Sequence, residues 1–433
     1  MKKVFTYVSA AVIIFATGIT IFVVIVCLLT LCGCSRTSME WKGREIEVFI
    51  VGDKGMDPWD YFEVDSVLVV NKHNFGASNK DNILKVQRSN YYPFCFLIGT
   101  GATDGCINRI FAVDSDGNII SELSIVSEDN TDMVIKDFCF EQGDTVNIVD
   151  VLAYVPQEAR ADGTADRAKP EIIRYKLTGA IRNNIAKKVK FREYERIKMP
   201  AYLYSTESFK FLSNGLYMMY KRYPCEAAAG DGNIEYRLNC WYTSGATRGG
   251  WLPFTAGDTV SRGVKQFIRE DKGKYYLTQS GNSTLYEFSI NGKGILAPMD
   301  SVKFLFSLRE KEVTDGKKDN KEIQIDELSD VFSYSGNNDL LLYFTYNHYK
   351  YVALCNQKTG KSDCYIAEKS LGGFMPMYSD GDVICFSLSS DEIQKIVNEK
   401  NKISYRDKFK KLAFVKPGDN VLLFVKKKKL LAK

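Results

Sequence analysis

Only two histidines, His73 and His348, are available for acid–base or metal chemistry, and neither has a second ligand at metal spacing. A histidine working with a distant nucleophile is the one catalytic use their placement allows. Asp380 and Asp382 flank Gly381 and can be read as a carboxylate pair of the glycosidase kind, although Asp is also favoured beside Gly in tight turns. Asp114-Ser115-Asp116-Gly117-Asn118 has the acidic spacing of a calcium loop. An EF-hand needs an acidic residue eleven positions after the first ligand, where Ile125 stands, so a hairpin turn accounts for it better. No G-x-S-x-G elbow, H-E-x-x-H pair or phosphate loop occurs. The sequence therefore nominates no catalytic, metal-binding or cofactor-binding residue and implies no cofactor.

Cysteine carries more information. Beyond Cys34 there are eight, Cys95, Cys106, Cys139, Cys225, Cys240, Cys355, Cys364 and Cys385, an even number that permits disulfides in an oxidising compartment. A hairpin centred between Thr359 and Gly360 makes Cys355 and Cys364 direct cross-strand neighbours. Cys225 with Cys240 and Cys95 with Cys106 pair by proximity alone. Free cysteine is also a common small buried residue.

Trp241-Tyr242 through Arg248-Gly249-Gly250-Trp251 can line a sugar or peptide site, because rings stack on flat ligand faces and Arg adds hydrogen bonds. The same residues serve equally as core. The Lys426 to Lys429 run suits anionic head groups or glycans, or guards a terminal edge strand against aggregation.

These residues must be held by strands. Alternating, β-branched and aromatic runs recur throughout, and the one short helix candidate is Glu392 to Glu399. A strand, a Gly-containing turn and a second strand recur around Gly117, Gly179, Gly245, Gly292, Gly360 and Gly418, at separations of 62, 66, 47, 68 and 58 residues. That interval suits a four-stranded antiparallel sheet plus loops. The fold class expected is all-β, a six-bladed β-propeller of four-stranded antiparallel blades over residues 44–430, preceded by an N-terminal signal or anchor helix. Tandem β-sandwiches are the alternative. Ring closure needs a strand from the chain start in the final blade, and Arg44 to Val51 is the candidate. Two polar insertions, Pro156 to Pro170 and Lys311 to Glu322, belong on the surface as binding loops or decoration.

The chain start carries its own address. Lys2 and Lys3 precede an uncharged, mostly apolar run from Val4 to Leu31, closed by Cys32-Gly33-Cys34-Ser35. This layout resembles a bacterial lipoprotein signal of residues 1–33, cut before Cys34, which would receive lipid, followed by a tether over 34–43. The run would span roughly 42 Å as a helix, so a single uncleaved transmembrane anchor is the rival. Either places the remainder outside the cytoplasm. Ser-Arg-Thr-Ser after Cys34 lacks an acidic cluster, which favours the periplasmic side of the outer membrane over the cell surface. The net charge of +5 arises from 58 basic and 53 acidic residues spread along the chain, which excludes a nucleic-acid module.

Three late segments, STLYEFSINGKGILAPMDSVKFLF at Ser283 to Phe306, YVALCNQKTGKSDCYIAEKSLGGFMPMYSDGDVICF at Tyr351 to Phe386, and LAFVKPGDNVLLFVKKKKL at Leu412 to Leu430, resemble the TolB-like six-bladed β-propeller lipoproteins of Bacteroidetes. The resemblance implies a ligand or partner platform in the cell envelope and brings no catalytic residues. The function expected is a lipid-anchored, non-enzymatic binding or assembly module for a glycan, peptide or envelope partner. An envelope hydrolase or lyase with its site in the central channel is the alternative.

Overall fold

The computed structural model describes residues 43–428 except 51–60, 71–81, 90–94, 102–105, 130, 142–146, 156–168, 183–184, 214, 225–234, 246, 255–267, 272, 279–282, 291–295, 310–319, 335–338, 368–374, 381–382, 394–414 and 417. The signal, Cys34, most of the tether, His73, Cys225 and most of both polar insertions lie outside them.

The protein is all-β, and twenty-four of its described strands form six four-stranded antiparallel units, the first two joined in one eight-stranded sheet and the fourth extended by Gly43–Ile50 and Asn320–Glu322. The first unit comprises Asn82–Arg88, Phe96–Gly101, Ile107–Val113 and Ile119–Leu123, and the second Val134–Glu141, Ile148–Tyr154, Glu171–Arg182 and Ile185–Lys198. One residue pair, Ile107 with Ile135, joins these two into a continuous sheet. The third unit is Thr206–Ser213, Leu216–Lys221, Tyr236–Tyr242 and Thr247–Pro253; the fourth is Ile268–Asp271, Lys274–Thr278, Thr284–Ile290 and Leu296–Arg309. The fifth runs through Glu327–Tyr334, Asp339–Tyr346, Tyr349–Asn356 and Lys361–Ile366. The sixth takes Met375–Asp380, Val383–Ser389 and Asn420–Lys427 from the end of the chain and Phe62–Val70 from its beginning.

Alternation explains the packing. Central strands such as Ile148–Tyr154 and Asp339–Tyr346 are buried on both faces, so each sheet presents apolar side chains to two neighbours. Leu97, Ile110 and Phe138 share a core between the first and second units, and Leu152, Phe209 and Trp241 share one between the second and third. Trp251 meets Phe288 edge-on at 5.8 Å between the third and fourth. Phe304 and Phe344 lie in the core of the fourth and fifth, Phe332 and Phe386 in that of the fifth and sixth, and Phe424 and Phe111 in that of the sixth and first.

Two expectations are corrected. Gly43–Ile50 does not complete the last unit. It pairs in parallel with Ser301 to Leu308 on the outer strand of the fourth unit, and the fourth strand of the sixth unit is Phe62–Val70. The alternation of Ile46, Val48 and Ile50 marks a strand with one buried face but does not name its partner. The final strand is also not an edge: Asn420–Lys427 is paired on both sides. Its lysines are engaged in ion pairs, Lys426 with Glu63 and Asp65 and Lys427 with Asp339. A helical turn opens two residues before the helix candidate, with a capping box in which the Ser389 amide donates to Glu392 Oε2 at 2.7 Å and the Glu392 amide to Ser389 Oγ at 3.3 Å, while residues 394–399 lie outside the described ones. Its described turn is 390–393.

Candidate functional site

The densest polar constellation among the described residues lies where the second unit faces the third. Asp150 on Ile148–Tyr154 is fully buried. Antiparallel register sets Arg174 directly beside it on the next strand. Arg174 Nε donates to Asp150 Oδ1 at 3.1 Å, one of its terminal nitrogens to Glu195 Oε2 at 2.8 Å, and the other to Glu141. From the third unit, the Tyr217 hydroxyl donates to Asp150 Oδ2 at 2.8 Å. The guanidinium also stacks over Tyr194 and Phe211.

Burial pushes the Asp150 carboxyl up to about 6, against the opposing pull of Arg174 and the Tyr217 hydrogen bond. Burial drives the Tyr217 hydroxyl well above its ordinary range, and Asp150 raises it further. Burial lowers Arg174, but Asp150 and the other anions around it outweigh that and hold it charged. A carboxyl poised near 6 has the proton affinity of a general acid or base. Both of its oxygens are spent, however, and no surface is open to a substrate. The ion pairs hold the second unit together, and the Tyr217 hydrogen bond to Asp150 fastens it to the third.

A second polar chain crosses three units. Asp137 pairs with Lys85 of the first unit and accepts from Ser208 Oγ at 2.7 Å and the Phe209 amide at 3.0 Å in the third. All three side chains are buried, and all three sit on the first strand of their units. This chain escapes sequence reading because Lys85, Asp137 and Ser208 are far apart and each looks ordinary alone.

The residues singled out from sequence fare differently. Asp114 Oδ1 accepts from the backbone amides of Asp116 and Asn118, both at 2.9 Å, which makes the acidic loop an Asx-type hairpin turn. Asp380 ends a strand and lies opposite Val383; Gly381 and Asp382 lie outside the described residues. His348 sits exposed in a two-residue hairpin turn with Asn347, their φ angles 66° and 49°. Trp241 is buried against Tyr217, ring centres 6.0 Å apart, and Trp251 is half-buried against Phe288, so both serve the core.

The cysteine pairing expected from the hairpin does not form. Asn356 Oδ1 accepts from the amides of Lys358 and Thr359, and Gly360 takes φ 64°, giving a four-residue loop centred one residue earlier than expected. Cys355 therefore lies opposite Ser362, and Cys364 opposite Ala353. Cys95, Cys106, Cys240, Cys355 and Cys364 all carry free thiols, and burial pushes Cys95, Cys240 and Cys364 up to about 12.

An open site lies elsewhere. A cleft of about 440 Å³ opens where the fourth unit meets the fifth. Its floor includes Phe304, Phe306 and Leu328, and Lys303, Gln324 and Asp326 supply polar groups. Lys303 and Gln324 are exposed. The volume falls within the roughly 300–1,000 Å³ of small-molecule pockets.

No protein-family model matches the chain, and no curated protein matches it in sequence. The crystal structure of a Bacteroides fragilis protein, described as a candidate exported protein, is similar over 90% of this chain and 100% of that one, with a TM-score of 0.59 at 14% identity. The shared property is the all-β fold. The Malassezia sympodialis allergen Mala s 1 aligns over 84% of this chain and 96% of its own, at 9% identity and a TM-score of 0.38, a likeness too slight to carry an argument.

Proposed function

We propose that this protein is a six-bladed β-propeller of the TolB-like type, held by lipid on Cys34 at the outer membrane with its body in the periplasm, and that it is a non-enzymatic binding or assembly module. Six four-stranded units, each packed on the next and the sixth on the first, support the propeller. The similarity to a Bacteroides fragilis protein described as exported supports the envelope location.

The observation that carries a binding role is the division of polar groups. The buried carboxylates of Asp137 and Asp150 are consumed in hydrogen bonds between units and Arg174 in ion pairs within the second, whereas the exposed Lys303 and Gln324 line an open cleft over an apolar floor. That combination fits the polar edge and flat face of a glycan or a short peptide.

A thermal-shift screen of glycans and peptides against the protein from Cys34 onward tests the reading. A ligand at a hundredfold excess over its dissociation constant adds about 2.7 kcal/mol to the folded state, and Lys303→Ala should weaken the hit. Release of product from a glycan or ester substrate would instead establish the hydrolase.

A further inference from the structure

Gly43–Ile50 stands apart from every other strand. The four strands of the fourth unit are complete without it, as is the sixth unit, whose closing strand is Phe62–Val70. It is joined to strand Leu296–Arg309 by eight register pairs, from Gly43 opposite Ser301 to Ile50 opposite Leu308, and it runs parallel. A parallel partner cannot arrive through a tight turn. Here the paired segments lie far apart in sequence, and covalent continuity with the body runs only through residues 51–60.

The strand docks as a bound peptide would. Ile46, Val48 and Ile50 enter the core shared by the fourth and fifth units, while Glu45 and Glu47 remain exposed. Arg44 Nε pairs with Asp300 Oδ2 at 2.7 Å, and the Ser362 hydroxyl of the fifth unit donates to the Glu47 carbonyl at 2.6 Å. Main-chain pairing supplies affinity and the alternate apolar pockets supply selectivity, as in β-strand addition.

We infer that this edge groove is a strand-accepting site occupied in cis by residues 43–50, and that its partner in trans is the same strand from a second copy of the chain. The complementarity needed is already present, because the donor strand and the groove belong to one sequence. The strand's partner lies far along the sequence, and exchange of an identical element between protomers costs few contacts.

Register supplies the test. Glu45 lies opposite Lys303, and both side chains are exposed. Full-length copies grown in light and heavy isotopes are mixed at high concentration, incubated, treated with a zero-length carbodiimide cross-linker and digested. Glu45–Lys303 cross-links joining light to heavy peptides are expected, and Val48→Asp should reduce them at least tenfold. Hydrogen exchange on the wild-type chain should show residues 44–50 exchanging at least tenfold faster than residues 62–70. Cross-links confined to single isotopes, together with exchange at 44–50 as slow as at 62–70, would overturn the inference.

Discussion

Asp137 Oδ2 accepts the Ser208 hydroxyl proton at 2.7 Å while the same carboxylate pairs with Lys85, so one side chain fastens three consecutive units. Removing it strands an ammonium among buried neighbours. Asp137→Ala should cost about 3–5 kcal/mol, the usual penalty for breaking a buried pair. Asp137→Asn keeps an acceptor for the Phe209 amide and should cost less. Urea unfolding of both variants gives the comparison, and an Asp137→Asn chain as stable as the wild type would deny the ion pair its role.

Gly117 takes φ 90°, and a Cβ placed there would lie 2.1 Å from the Val69 carbonyl oxygen of the closing strand. Gly273 has a similar φ of 78° with open space around it. Gly273→Ala therefore bears only backbone strain, of order 1 kcal/mol, whereas Gly117→Ala must also push the first unit away from the sixth. The second variant should lose at least twice as much stability in denaturant titrations.

Asp150 has a folded-state value near 6, above the ordinary 3.8. Its protonated form is the one the fold favours. The stability contribution is thus complete below about 3.8 and lost as pH rises through about 6, amounting to about 3 kcal/mol at 1.36 kcal/mol per unit. Unfolding free energies of wild type minus Asp150→Asn should fall from pH 4 to pH 7. A flat difference would show that Arg174 and Tyr217 fully compensate the burial.

Among the described cysteines, Cys106 is partly exposed and the other six are buried. Reactivity follows thiolate access. Mass-spectrometric mapping after brief alkylation of the native protein should find Cys106 labelled first, with Cys355 and Cys364 labelled only at the rate of unfolding. A Cys355–Cys364 bridge in a non-reducing digest would contradict the observed register.

The sequence was most legible where backbone geometry dictates residue type. Gly117, Gly245 and Gly360 all mark the turn between the third and fourth strands of their units, each with positive φ. Gly179 lies instead within strand Glu171–Arg182, and Gly418 precedes the last strand. Their regular spacing still tracked the units because the chain repeats at that scale. Which strand closes the last unit was not legible, since Gly43–Ile50 and Phe62–Val70 have similar apolar alternation and differ only in distant partners. The Tyr217 contact with Asp150 and the Lys85 and Ser208 contacts with Asp137 were hidden for the same reason: each joins residues of different units.

The sixth unit draws its strands from both extremities, with Val70 opposite Asn420 and Phe62 opposite Lys427. A growing polypeptide must therefore keep Phe62–Val70 waiting until Asn420–Lys427 has been made. Premature termination before residue 420 would remove one strand and orphan another, turning a loss of about a dozen residues into a lasting adhesive edge.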